Sequence, residues 1–306
     1  MALTNNDIDS ITQKYFYPKM VDNIFASNAG LQRAKKKWYS SLDGGTKAVI
    51  PLAYATNSSV QWYTGGTLNV TSNSKKTSAE FEWKRSQAAI VIDGLDELKN
   101  SGDRAVISHV RSEVQLAEKS LANSIGGALF SDGTSTYANA IIGFKAMVAA
   151  SGTYGIIARA SNSWWNAQVD STTTTLSLAK MQALFGDCTV DNDKPSVIFT
   201  TQDSYDDIYG LIQPQQRFGD EDTIKAGFLN ILWNGIPVIV DSHVDSGYMY
   251  MINEKYVFLK HHKDRNFVLT PFQKPVNEDS SYAHVFWAGM LCGNNCRMQG
   301  AFTALT

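Results

Sequence analysis

Three groups of residues carry the types from which a reactive or metal-binding site is built. In VIVDSHVDSG, residues 238–247, Asp241, His243 and Asp245 alternate. On a continuing strand they would share one face and offer two carboxylates and an imidazole to a cation. The same stretch contains the residue types that leave a strand and reverse the chain. Ser246-Gly247 ahead of YMYMIN favours that turn, on which the three side chains diverge. Cys292 and Cys296, with His261-His262 elsewhere, supply zinc-ligand chemistry. The GNN between the cysteines is hairpin chemistry, however, and structural zinc asks for four ligands in close pairs. Lys75-Lys76 places two amines at the tip of a long polar arm, where exposed lysines ordinarily serve solubility. None of GxSxG, GxxxxGK[ST], GxGxxG or HExxH occurs. Their absence does not exclude catalysis but removes the common routes to proposing it, and no catalytic residue, metal ligand or cofactor is assigned.

Composition sets the frame for those residues. The chain has 306 residues, 43% of them hydrophobic, enough for a substantial core in one large domain or two ordinary ones. Lys plus Arg number 27 against 29 Asp plus Glu, so no global positive field exists to hold nucleic acid or an anionic membrane. Three cysteines in a chain this long argue against a disulfide scaffold and suit a reducing compartment. The N-terminus lacks an apolar core of signal-peptide length and no run of eighteen apolar residues occurs, which points to a soluble protein made in a cytoplasm.

The pattern along the chain predicts an N-terminal helix over 5–27 interrupted at Pro18, then the basic run RAKKKW, whose ordinary role is a solvated face. From 46 to 93 it predicts an extended two-stranded arm with a Ser/Thr/Asn/Gly-rich tip. An isolated ribbon is marginal in water, so Trp62, Tyr63, Phe81 and Trp83 need either the parent domain or another copy of the chain to lie against. A long helix opens at Ser101 or Asp103 and closes at Gly126-Gly127, with Val106, Val110, Val114, Ala117, Leu121 and Ile125 as one apolar stripe. Helices follow at 176–188 and after 201, the latter stopped by Pro214. A buried strand is predicted at 194–201, strands resume from 226 with a turn at Asn234-Gly235, and a final hairpin turns at Asn294-Asn295. Helices and strands come in blocks, which is an α+β pattern.

Residues 195–260 resemble the major capsid proteins of tailed bacteriophages, the Hong Kong 97-type coat fold. Thr200-Thr201, Tyr205, Gln216-Arg217-Phe218, Gly227-Phe228, the Gly235-to-Asp241 strand and Tyr250 to Asn253 stand in that family's order. YGIIARASNSWWNAQV is similar to the region ahead of that block. The resemblance implies an N-terminal arm (1–45), an extended β-hairpin loop (46–93) and a peripheral domain (94–174 and 271–306) with its spine helix near 101–126. It also implies an axial domain (175–270) around a central β-sheet.

The same resemblance implies self-assembly into pentamers and hexamers of an icosahedral shell enclosing double-stranded DNA, with the virion capsid as location and assembly in the host bacterial cytoplasm. The arm would then lie on a neighbouring subunit. Contact candidates between copies are Trp62, Tyr63, Lys75, Lys76, Phe81 and Trp83 on the arm, Arg33, Lys35, Lys36 and Lys37 at the inner edge, and Arg217. Further implied partners are a separate scaffolding protein (unless the chain is already in mature form), a portal, decoration proteins and non-specifically contacted DNA, with no membrane. Some relatives join subunits by a Lys–Asn isopeptide bond; Lys75 and Lys76 lie in a suitable region, but no partner Asn or assisting Glu is assignable. The other readings are an encapsulin-like compartment of the same fold, or a β-rich ligand-binding protein or enzyme using His243 or His261-His262.

Overall fold

The computed structural model describes residues 28–68, 75–95, 109–216, 231–275 and 277–306. The helix expected over 5–27, the start of the long helix at 101–108 and the strand opening at 226–230 lie outside them. Helix α1 (Ala29–Lys37) runs through Trp38 into β1 (Tyr39–Leu42), followed by β2 (Lys47–Ala53), β3 (Lys76–Glu82) and β4 (Lys84–Asp93). Next come α2 (His109–Phe130), the single turn α3 (Phe144–Met147), the small pair β5 (Thr153–Tyr154) and β6 (Ile157–Ala158), β7 (Gln168–Asp170) and α4 (Leu178–Asp187). Then follow β8 (Val197–Thr200), α5 (Gln202–Gln216), β9 (Leu232–Trp233), β10 (Ile236–Val240), β11 (Met249–Ile252), β12 (Val257–Leu269), β13 (Ser280–Gly293) and β14 (Gly300–Phe302). The chain is α+β, as its pattern predicts.

The central sheet has six strands in the order β7-β14-β11-β8-β10-β9. β8 and β10 are parallel, and β11 is antiparallel to β8. Every residue of VIFT in β8 and MYMI in β11 is buried, the signature of strands covered on both faces. Alternation along the strands explains what covers each face. Ile198, Met249 and Met251 join Met181 and Leu184 of α4 and Ile208 of α5 in one cluster. The intervening Phe199 and Tyr250 meet Phe130 and Phe144, with ring centroids 5.5 to 6.2 Å apart. Ser177 caps α4 by accepting from the Lys180 amide. Asn234 and Gly235, with φ of 50° and 77°, form the two-residue turn that sets Ile236 opposite Trp233.

A second sheet has the order β1-β12-β13-β4. By internal contacts the chain divides into two compact units. One contains Gln87–Leu121 and Leu269–Val285; the other contains Ala26–Ser86, Ala122–Val268 and Phe286–Thr306, with the six-stranded sheet. In the first, the Gly94 amide donates to the Asp279 carbonyl, and Gln273 and Tyr282 exchange amide–carbonyl bonds.

Four expected boundaries change. The long helix continues through Gly126-Gly127 to Phe130. Close approach, not a stop signal, demands those glycines: a Cβ on Gly127 would strike the Tyr137 hydroxyl and one on Gly126 the Asn28 side chain. The strand expected to return from the arm breaks at Trp83, so β3 stays in the two-stranded ribbon while β4 joins the second sheet. The last forty residues do not make a hairpin, because β13 belongs to the second sheet and β14 pairs with β11 and β7 in the first. Helix α5 passes Pro214 and ends at Gln216; the proline has no N–H to give the carbonyl four residues back, and the helix stops two residues beyond it.

Gly143 sits where α2 ends, its amide donating to the Ser131 carbonyl at 3.0 Å. An added Cβ would overlap the carbonyl oxygens of Ala128, Leu129 and Ser131, and backbone cannot swing aside as a side chain can. Gly143→Ala is expected to lower stability by about 3 kcal/mol. Gly186→Ala, in α4 with open space around it, should raise stability by about 0.5 kcal/mol. Denaturant unfolding of the two variants checks both signs.

Candidate functional site

The alternating acids and histidine form a tied-down turn. Asp241, 1% exposed, closes β10, its amide donating to the Thr200 carbonyl at 3.1 Å. One carboxylate oxygen accepts the His243 amide at 3.0 Å and lies 2.7 Å from His243 Nδ1; the other accepts the Gly30 amide at 2.6 Å. Gly30 is the second residue of α1, whose own Asn28 makes no side-chain cap bond, so Asp241 caps that helix from across the fold. His243 Nε2 meets Asn123 Oδ1 of α2 at 3.0 Å. Both ring nitrogens are thus occupied, leaving no lone pair or proton free for chemistry. Asp245 points away to Lys145, 2.6 Å off, and that carboxylate raises the Lys145 pKa.

The cysteines and the paired histidines do not converge. Cys188, Cys292 and Cys296 are buried and free, and burial pushes each thiol up to about 12. The His261 ring stacks on Tyr39 at 4.1 Å, and burial lowers its pKa; His262 meets the edge of Trp83. Among the described residues, no three His, Cys, Asp or Glu side chains gather as a metal site requires.

The ribbon is half anchored. β2 and β3 pair over seven residues each, from Lys47↔Glu82 to Ala53↔Lys76. Their inward side chains Leu52, Ala79 and Phe81 are buried, Phe81 against Tyr154 at 5.2 Å, and the Glu80 amide donates to the Gly155 carbonyl. Phe81 is thus spent on its own chain, and Trp83 donates its indole N–H to the Gly45 carbonyl at 2.8 Å. Lys75 and Lys76 stand where pairing ends, not at the tip: the Lys75 carbonyl accepts from the Tyr54 amide. Beyond them Tyr54 stacks on Trp164, and the chain to residue 68 is irregular. There Trp62 is fully exposed, with Val60 at 81%, Tyr63 at 66% and Leu68 at 51%. Val60 and Leu68 join the two aromatic residues that the sequence singled out; the polar composition around them hid them.

Of the inner-edge candidates, Arg33 forms a two-pronged pair with Glu254 at 2.8 and 2.7 Å, which raises the guanidinium pKa. With 221 positions between them, no local spacing announces that pair. Lys35, Lys36 and Lys37 are exposed on α1, Lys35 lying 4.9 Å over the Phe267 ring. Arg217 lies outside the described residues.

The fold has known relatives. The cyanophage A-1(L) capsid asymmetric unit matches over 99% of this chain and 100% of its own, with TM-score 0.73 and 16% identity. A chain from the capsid of a native GTA particle matches over 97% and 96%, with TM-score 0.70 and 8% identity. The holo-SrpI encapsulin complex from Synechococcus elongatus PCC 7942 matches over 100% and 96%, with TM-score 0.62 and 9% identity. The chain therefore has the tailed-phage coat-protein fold, a fold it shares with an encapsulin. No protein-family pattern matches the sequence. No curated protein sequence matches it either.

Asp241→Asn would turn an amide group toward one of the donors the carboxylate now accepts. The expected cost is about 2 kcal/mol in denaturant unfolding, with faster amide exchange at Gly30. With each thiol held at about 12, the native protein at pH 8 should give no colour with Ellman's reagent, and all three thiols should react once it is unfolded.

Proposed function

We propose that this chain is a shell-forming coat protein that assembles through pentamers and hexamers into an icosahedral phage capsid around double-stranded DNA. One observation supports it beyond the fold: an irregular tip displaying Val60, Trp62, Tyr63 and Leu68 to water, carried on a ribbon whose base is packed and rigid. Each such side chain gains about 2 kcal/mol when buried, and the ribbon's own body does not supply that burial. A neighbouring copy does, and because every copy both gives and receives a tip, the contact is head-to-tail and closes into rings. Many weak contacts per subunit then sum to a stable particle.

On this reading the six-stranded sheet is the core of the axial domain expected at 175–270, with β7 and β14 joining it from outside that range; α2 is the spine of the peripheral domain, and residues 46–93 contain the arm. Lys75 and Lys76, at the outer end of the paired ribbon, and Lys36 and Lys37 remain contact candidates; Arg33 and Trp83 hold their own chain first. Scaffolding, portal and decoration proteins are the expected assembly partners, with assembly in the host bacterial cytoplasm and no enzymatic activity. The likeness to an encapsulin favours a second reading, a compartment filled with protein cargo. Purified particles containing DNA select the capsid, and particles containing a co-purifying protein select the compartment.

Trp62→Ser with Tyr63→Ser removes the two largest exposed tip groups without touching a buried contact. The folded subunit should keep its melting temperature within about 2 °C, because exposed substitutions change stability little. Particle yield by sedimentation and negative-stain microscopy should collapse. Normal particles from this variant would overturn the tip's role.

A further inference from the structure

The geometry points to a nucleic-acid contact surface formed by the C-terminal turn of α1 and the outer half of β12, reading phosphate charge and not base sequence. Residues 29–43 and 257–269 contain seven cationic side chains, Arg33, Lys35, Lys36, Lys37, Lys260, Lys263 and Arg265, against two carboxylates, Asp43 and Asp264. That is a local excess of five positive charges in a chain whose total is −2. The fold makes these segments neighbours: β1 runs parallel to β12 from Tyr39↔Leu259 to Leu42↔His262, and the Leu259 amide donates to the Trp38 carbonyl.

Of the seven, Arg33 is neutralised by Glu254. Lys35, Lys36, Lys37, Lys263 and Arg265 are all exposed, and among the described residues none makes an ion pair. Two are held by aromatic rings instead. Lys35 lies 4.9 Å from the Phe267 centroid and Arg265 4.7 Å from that of Phe286. A ring face steadies a cation's stem while leaving its charge open to a further anion. Phe267 takes the left-handed conformation, φ 54°, inside a strand. A bulky residue is strained there, by about 1–3 kcal/mol, so the surroundings must hold it in place under Lys35.

Charge density favours a duplex over an acidic protein segment. Lys263 and Arg265, two residues apart on an extended strand, present their charges on one face about 6.6 Å apart, and a duplex, with one negative charge per about 1.7 Å of its axis, supplies more anions to such a row than a polypeptide of the same length. Exposed lysines without a planar, buried fork do not read base edges, so the contact is blind to sequence.

This surface deepens the capsid reading and rests on it for its biological place, but its test uses the folded full-length chain whether or not particles form. A fluorescein-labelled duplex of about 30 base pairs is titrated with protein over a range of salt, following anisotropy. Lys35→Gln, Lys36→Gln, Lys263→Gln and Arg265→Gln together should weaken binding at least about tenfold and flatten the salt dependence by about one unit of slope per lost contact. Lys194→Gln with Lys274→Gln, exposed lysines elsewhere, should change neither. Equal losses in both variants, or an unchanged slope in the first, would overturn the surface. So would tighter binding to polyglutamate than to the duplex, which would assign the strip to an acidic protein. Particle formation, scored separately by sedimentation, tests the capsid reading on its own terms.

Discussion

A carboxylate sealed from water must be met by donors, and Asp241 gathers its donors from separate parts of the chain. It follows a central strand, takes the Gly30 amide in the first turn of α1, and fixes the imidazole that in turn meets Asn123 of α2. Those elements lead elsewhere in the fold: α1 continues into β1 beside β12, and the strand belongs to the buried sheet. Charge-assisted bonds of this kind are directional, so they fix the element's position as well as adding stability. The residues that looked most like a reactive centre are therefore the ones most fully spent on holding the structure.

The anchoring of the ribbon follows a similar division. Its inward face does what any half-buried hairpin does, laying Leu52, Ala79 and Phe81 on the body. Seven paired residues on each side are enough to aim the segment beyond them but not to cover it. Tyr54 stacks on Trp164, and farther out Val60, Trp62, Tyr63 and Leu68 are exposed. A purely solvated loop would be built from small polar residues; placing a tryptophan in the open there is costly unless it is covered in the assembled state.

What could be read from the sequence depended on the range of the physics. Periodicity exposed the apolar strands VIFT and MYMI and the Ala117, Leu121 and Ile125 part of the long helix's stripe, because burial repeats every two or every few residues. Asn234-Gly235 revealed its hairpin because only such pairs tolerate two positive φ values. The glycines of α2 misled, since a glycine needed for close approach to Tyr137 or Asn28 looks the same as one needed to stop a helix. Asn294-Asn295 misled likewise: turn chemistry shows that the chain bends, but not whether the next strand returns to the same sheet. Arg33 with Glu254, Gly30 with Asp241 and Asn123 with His243 depend on the three-dimensional path of the chain and have no local signature.

Charge shows the same gap between local and global reading. A total of −2 suggests a surface indifferent to polyanions, and for long-range steering that inference holds, because distant charges are screened within about 10 Å in ordinary salt. Contact binding is decided within that screening length. There the relevant quantity is which cations lack an internal carboxylate, and the fold answers it by giving Arg33 and Lys255 their acids while leaving Lys263 and Arg265 open. A near-neutral total also suits a protein packed against many copies of itself, since like-charge repulsion grows with every added neighbour. On the proposed reading, confining the positive excess to one strip would let the same chain meet a polyanion on that surface and its own copies on others.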